Sequence, residues 1–150
     1  PPDPGHGLTV MSLGDDAIDI VVPASSAWSS SLPSSSVPST SSFRLADLAE
    51  ETWVAGCDRC RAHLVDAGRR AGFDPRIAFT TDDFVTQQAL VAAGLAVAAM
   101  PRSTLDAHAD AGLFAAPCPD LGVRHIEVVT AADPLPPAVA ALRAHLMNAP

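Results

Sequence analysis

The sequence predicts an α/β fold with a parallel-core sheet flanked by helices, and three observations carry that expectation. Between residues 52 and 100, short apolar runs alternate with two helix-length segments, in the order strand, helix, strand, helix, strand. The runs "TWVAG", "RIAFT" and "LAVAAMP" are largely apolar, as parallel strands covered on both faces are. Glycines at 72 and 94 stop both intervening helices, a common way to end one. Two such crossovers, right-handed, give parallel strands.

The elements follow in order. "GLTVMSLG" (7–14) and "AIDIVVP" (17–23) have strand patterning and are separated by Gly14-Asp15-Asp16, which reads as two strands joined by a turn. In residues 25–42, 11 of 18 are Ser, so this Ser/Pro tract offers little to bury and reads as a mobile loop. Trp28 inside it either docks on the body or stands exposed. "LADLAEE" (45–51) is a single helical turn, and "TWVAG" (52–56) is a strand. "DRCRAHLVDAGRRAG" (58–72) sets Cys60, Leu64, Ala67 and Ala71 on one face of an amphipathic helix. "RIAFT" (76–80) is a strand, "DDFVTQQALVAAG" (82–94) a helix and "LAVAAMP" (95–101) a strand. After the turn-like "RSTLDAHAD" come strands "GLFAAPC" (112–118) and "VRHIEVVT" (123–130). "PPAVAALRAHLMN" (136–148) opens on prolines and is the last helix.

Composition narrows the function. The chain has 150 residues and is 48% hydrophobic, and a chain of that length buries about 68–70% of its unfolded surface. No apolar run approaches the ~20 residues of a membrane span, and no secretory leader is visible. The opening "PPDPGHG" reads as the start of a fragment or processed product. Net charge is −8, and the basic residues are scattered Arg apart from a loose group at 59, 61, 69 and 70. That argues against a face that holds nucleic acid by its phosphates. Three cysteines without a leader point to reduced thiols in the cytoplasm.

In an open parallel sheet, ligands bind beyond the carboxyl ends of strands, where helix N-termini present free N–H groups. Two such turns occur here, Ala55-Gly56-Cys57-Asp58 and Thr80-Thr81-Asp82-Asp83. Thr81 or Asp82 is placed to cap the following helix. Thr80 lies too early for that and reads as a ligand contact. Acids beside the mouth favour a cationic or neutral polar ligand, unless capping consumes them.

Cys57 and Cys60 form C-x-x-C at a helix start, the layout of a thioredoxin-type redox centre. The remainder of the chain does not follow that fold. The plainer reading turns Cys60 inward as a small apolar residue and leaves Cys57 partly exposed. Zinc would need His63, Cys118 or His125 to join the pair, at a spacing unlike that of zinc fingers. No nucleophile elbow, dinucleotide fingerprint, phosphate loop or metalloprotease motif occurs. The expectation is therefore a non-enzyme with no cofactor, no metal and no catalytic residue.

The segment "LADLAEETWVAGCDRCRAHLVDAGRRAGFDPRIAFTTDDFVTQQALVAAGLAVAAMPRSTL" (45–105) closely resembles the effector-binding domain of LysR-type transcriptional regulators. The "LADLA" turn before an aromatic-apolar strand, the "GF.P.I.F" lead, "T.D...Q.LVAAGLAVA..P" and the terminal "PPAVAAL" helix carry the likeness, with "GLTVMSLGDDAIDIVVPASS" ahead of them. The resemblance implies a periplasmic-binding-protein-like (type 2) fold that holds a small effector between two subdomains. It implies that residues 1–22 and 123–150 belong to the first subdomain and 23–122, with the Ser/Pro loop at 24–42, to the second. It assigns effector contact to Gly56, Cys57, Asp58, Thr80, Thr81 and Asp82. The winged helix-turn-helix and the opening of the first subdomain have no counterpart here, so the chain reads as truncated at its N-terminus, with an incomplete first lobe. It would meet DNA only through a missing N-terminal domain, and its uncovered apolar faces predict self-association. The alternatives are a C-x-x-C thiol redox protein, with Cys57 and Cys60 as its couple, and a stand-alone small-ligand-binding protein.

Overall fold

The computed structural model of the chain describes residues 7–28, 42–131 and 134–148. Most of the Ser/Pro tract, residues 29–41, therefore lies outside the described residues, as do the first six. Strand β1 (Leu8–Pro23) is continuous over 16 residues, which corrects the expectation of two strands and a turn. Gly14 takes φ +142°, a backbone angle that glycine accommodates without a Cβ clash. Beyond it, Asp15 and Asp16 stay extended and face β6 (Val123–Ala131). His125 Nδ1 lies 2.6 Å from Asp15 Oδ1, and Arg124 donates to Asp16 at 2.5 Å. The two acids hold β6 through their side chains, and the chain does not reverse at them.

The remaining strands are β2 (Thr52–Ala55), β3 (Arg76–Thr80), β4 (Val97–Pro101) and β5 (Leu113–Pro117). The helices are α1 (Asp58–Arg70), α2 (Phe84–Ala92), α3 (Arg102–Ala107) and α4 (Pro137–Met147). Short 3-10 turns span Leu45–Leu48 and Pro119–Leu121. The chain divides into two compact units, one of Pro1–Asp16 with Arg124–Pro150, the other of Ala17–Val123. In the smaller unit β6 pairs with β1, and α4 buries none of its residues.

In the larger unit the sheet order is β3-β2-β4-β1-β5. β2 runs parallel to both β3 and β4, whereas β1 is antiparallel to β4 and β5. The sheet is therefore mixed around a parallel core of three strands. The chain steps outward from β2 to β3, then returns past β2 to β4. Two crossovers of the same hand must then lay their helices on opposite faces, and the core follows that rule. Leu64 and Ala67 of α1 join Ile20, Val22, Trp53 and Val97 in one buried cluster. Val91 of α2 joins Val21, Val54, Ala98 and Met100 in the other. Alternate residues of the same strands feed the two clusters, as the two-residue strand period requires.

Two local expectations change, and one open alternative is resolved. β3 alternates exposed and half-buried, because as an edge strand it is covered less than its neighbours. Cys60 is exposed; the buried face of α1 is Leu64, Ala67 and Gly68. Trp28 docks, its ring edge-on to Phe43 at 6.1 Å and its N–H donating to Glu51 at 2.9 Å.

Candidate functional site

The parallel register sets Ala55 opposite Thr80, and the Thr81 N–H donates to the Ala55 carbonyl at 3.0 Å. The two turns picked from the sequence thus open on one edge of the sheet, with the N-termini of α1 and α2 beside them. β2 leads off toward β3 while β4 leads off to the other side, toward β5. Their carboxyl ends therefore flank a topological switch point, where open α/β sheets leave a crevice. β4 closes this edge with Pro101, and Arg102 beyond it is ion-paired with the buried Asp19.

The capping of α2 differs from the expectation. Neither Thr81 nor Asp82 caps the helix; Asp83 does, accepting from the Val85 amide at 3.0 Å and from the Thr86 hydroxyl at 2.7 Å. The Thr86 hydroxyl, and then the Val85 amide, hold the Asp83 carboxyl below its ordinary pKa. Thr81 stabilises the approach, its hydroxyl accepting from the Asp83 N–H at 3.3 Å. The shift of one residue has a consequence, because it leaves the exposed Asp82 carboxylate uncommitted to the cap. Thr80, Cys57 and Asp58 are exposed too, and Gly56 and Thr81 are half-buried.

The residue that joins the two turns is Gln87, which the sequence reading passed over. Only 2% exposed, it donates through Nε2 to the Thr81 carbonyl at 2.8 Å. A Cβ built on Gly56 would meet that same Nε2 at 3.3 Å, and the Cys60 Cβ and Sγ at 3.6 and 3.7 Å. Glycine at 56 thus lets the Gln87 amide and Cys60 close over the end of β2. The available signal was the pair of amides at 87 and 88 inside an otherwise apolar helix. Gln88, equally buried, bonds the His108 carbonyl and the Asp110 amide.

Cys57 and Cys60 lie at the same edge with their sulfurs 3.2 Å apart. The Cys60 amide, followed by the Cys60 thiol, lowers the Cys57 pKa; Asp82 is near enough to work against them. The other metal-ligand types are elsewhere. His63 Nε2 is 2.8 Å from the Leu121 carbonyl, and His125 faces Asp15. Cys118 is buried, and burial pushes its pKa up to about 11. Among the described residues, no three His, Cys, Asp or Glu side chains come together as a metal site. Two cavities of about 460 Å³ lie away from this edge. One sits at the amino ends of β2 and β3, beside Thr52 and Arg76; the other lies between the 3-10 turn at 45–48 and the end of α1.

A family model described as the LysR substrate binding domain matches residues 1–149. No curated protein matches the chain by sequence. Among solved structures, full-length CbnR with its target DNA superposes with a TM-score of 0.72 at 20% identity, over 97% of this chain and 49% of that one. The C-terminal domain of a probable LysR family regulator from Rhodococcus sp. RHA1 gives 0.72 at 22% identity, over 96% and 69%. The regulatory domain of Synechocystis PCC6803 CcmR, solved with 2-PG, gives 0.74 at 14% identity, over 98% and 69%. The chain spans about half the length of the full-length regulator it matches. What these structures share with it is the fold, that of periplasmic-binding-protein-like (type 2) effector-binding domains.

Proposed function

We propose that this chain, which belongs to the LysR substrate-binding-domain family of transcription regulators, holds a small effector at the carboxyl edge of β2 and β3. The contacts would come from Gly56, Cys57, Asp58, Thr80, Thr81 and Asp82. One observation carries this reading: the parallel pairing of Ala55 with Thr80, which turns two strand ends and two helix starts toward one rim. The exposed Thr80 hydroxyl and the half-buried Thr81 hydroxyl there supply hydrogen-bonding groups for a polar molecule. Asp58 and Asp82 add negative charge that the cap of α2 does not consume. That combination suits a neutral hydroxylated metabolite or a cation better than a dianion. On this reading the chain performs no catalysis and works in the cytoplasm. DNA is contacted through a domain outside these 150 residues, by analogy with the DNA-bound full-length CbnR.

The test is thermal unfolding of the chain against a panel of polyols, amines and dicarboxylates, followed by titration of any compound that raises Tm. Losing one hydrogen bond at the rim removes about 0.5–1.5 kcal/mol, or roughly two- to tenfold in Kd. Thr80→Ala and Asp82→Ala are each expected to weaken binding by that amount. Gly56→Val, which drives a branched side chain into Gln87 and Cys60, is expected to abolish it. A compound whose affinity ignores all three substitutions binds elsewhere, and the assignment of this rim fails.

A further inference from the structure

Cys57 and Cys60 are both exposed, and their sulfurs lie 3.2 Å apart across the first turn of α1. Residues three apart in a helical turn have Cα atoms about 5 Å apart, inside the roughly 4.4–6.8 Å range of disulfides. Closing the bond to about 2.05 Å asks the two sulfurs to approach by only ~1.2 Å, without moving the backbone. The third cysteine is a built-in contrast: Cys118 is 2% exposed and stays protonated at neutral pH. We propose that Cys57 and Cys60 form a reversible thiol–disulfide couple, oxidised by low-molecular-weight disulfides, that gives the rim a redox input. This couple is independent of effector recognition, since it needs only the two thiols and an oxidant.

In the first step the Cys57 thiolate attacks one sulfur of the small disulfide. A mixed disulfide forms and one small thiolate leaves. The Cys60 thiol then loses its proton to solvent, and its sulfur attacks Cys57 Sγ. The second small thiolate is expelled, and both leaving groups are protonated. Two protein thiols are thereby oxidised and one small disulfide is reduced to two thiols. Cys57 is the attacking group because the Cys60 amide and thiol favour its ionised form, and the thiolate is the nucleophile. Cys60 is the resolving group by position. Oxidation removes a thiolate and a thiol donor beside Gly56, where Cys60 already closes over the end of β2.

The experiment exposes the reduced 150-residue chain to oxidised glutathione, quenches with acid and maps the products by mass. The wild type is expected to lose two hydrogens in the peptide that holds residues 57–60 and to keep no glutathione. Cys60→Ser is expected to stop at a lasting adduct on Cys57. Cys57→Ser is expected to react at least about tenfold more slowly than wild type, with Cys118 unmodified in every case. Circular dichroism establishes that each variant is folded before it is compared. A lasting glutathione adduct on wild-type Cys57, equal reactivity of Cys57 and Cys118, or no reaction at the pair would each overturn the proposal. Failure of the effector titrations would leave this result standing, and the reverse holds as well.

Discussion

Gly68 shows how tightly one residue can fix the larger unit. It lies on the buried face of α1, and a Cβ there would meet Pro75 Cγ at 2.6 Å and Cδ at 2.7 Å. The proline ring is rigid and leads directly into β3, so neither side can yield without moving a strand. Gly68→Ala is therefore expected to destabilise the fold by about 1–3 kcal/mol, the usual cost of overpacking, although alanine is the better helix former. Urea unfolding at constant m-value measures it; an unchanged or raised midpoint would mean that α1 and Pro75 can separate freely. Gly56 is the contrasting case. Its nearest neighbours are Gln87 Nε2 at 3.3 Å and the Cys60 Cβ and Sγ at 3.6 and 3.7 Å, so only the Gln87 amide must give, and by a few tenths of an ångström. Gly56→Ala should therefore leave stability almost unchanged and show itself in binding at the rim.

At the scale of elements, the start of α2 gives a pH-dependent signal. The Asp83 carboxyl is held below its ordinary 3.8 in the folded chain. Its contribution is therefore complete above that unfolded value and is lost as pH falls through the folded one. The Tm gap between wild type and Asp83→Ala is expected to be widest near neutral pH and to narrow below about pH 4. A gap that widens in acid would place the charge in the wrong state. The same helix shows how far the sequence could be read. Strand and helix order from Thr52 to Pro101 was legible, because apolar runs and terminal glycines are local signals. Which of three consecutive polar residues caps α2 was not, because Thr81, Asp82 and Asp83 are all competent and the choice depends on where Thr81 hydrogen-bonds to β2. Gly14-Asp15-Asp16 misled for a related reason: these are turn residues by propensity, and partners more than 100 positions away on β6 keep them extended. The two rim turns could be located from strand ends alone. Gln87 could not, since its role arises only when α2 folds back over Gly56.

For the whole molecule, the two units differ in how well they cover themselves. The larger one buries two apolar clusters, one on each face of its sheet. The smaller one leaves Leu8, Leu13, Ile126 and Val129 exposed on its strands. Its helix α4 carries Val139, Leu142 and Leu146, also exposed, at the three- and four-residue spacing that forms one stripe. An exposed apolar stripe such as that on α4 favours association, so copies of the chain are expected to associate as concentration rises. Charge supplies the discriminating test. Each copy carries a net −8, so two copies repel over a Debye length of ~30 Å at 0.01 M salt but only ~8 Å at 0.15 M. Association through apolar surface should therefore strengthen as salt is added, whereas an interface held by ion pairs would weaken. Sedimentation velocity across that salt range is expected to show the first behaviour. Leu142→Glu with Leu146→Glu should return the chain to monomer by placing two charges in the stripe. A monomer at all concentrations, or a dimer that salt dissolves, would mean that this face is not where copies meet.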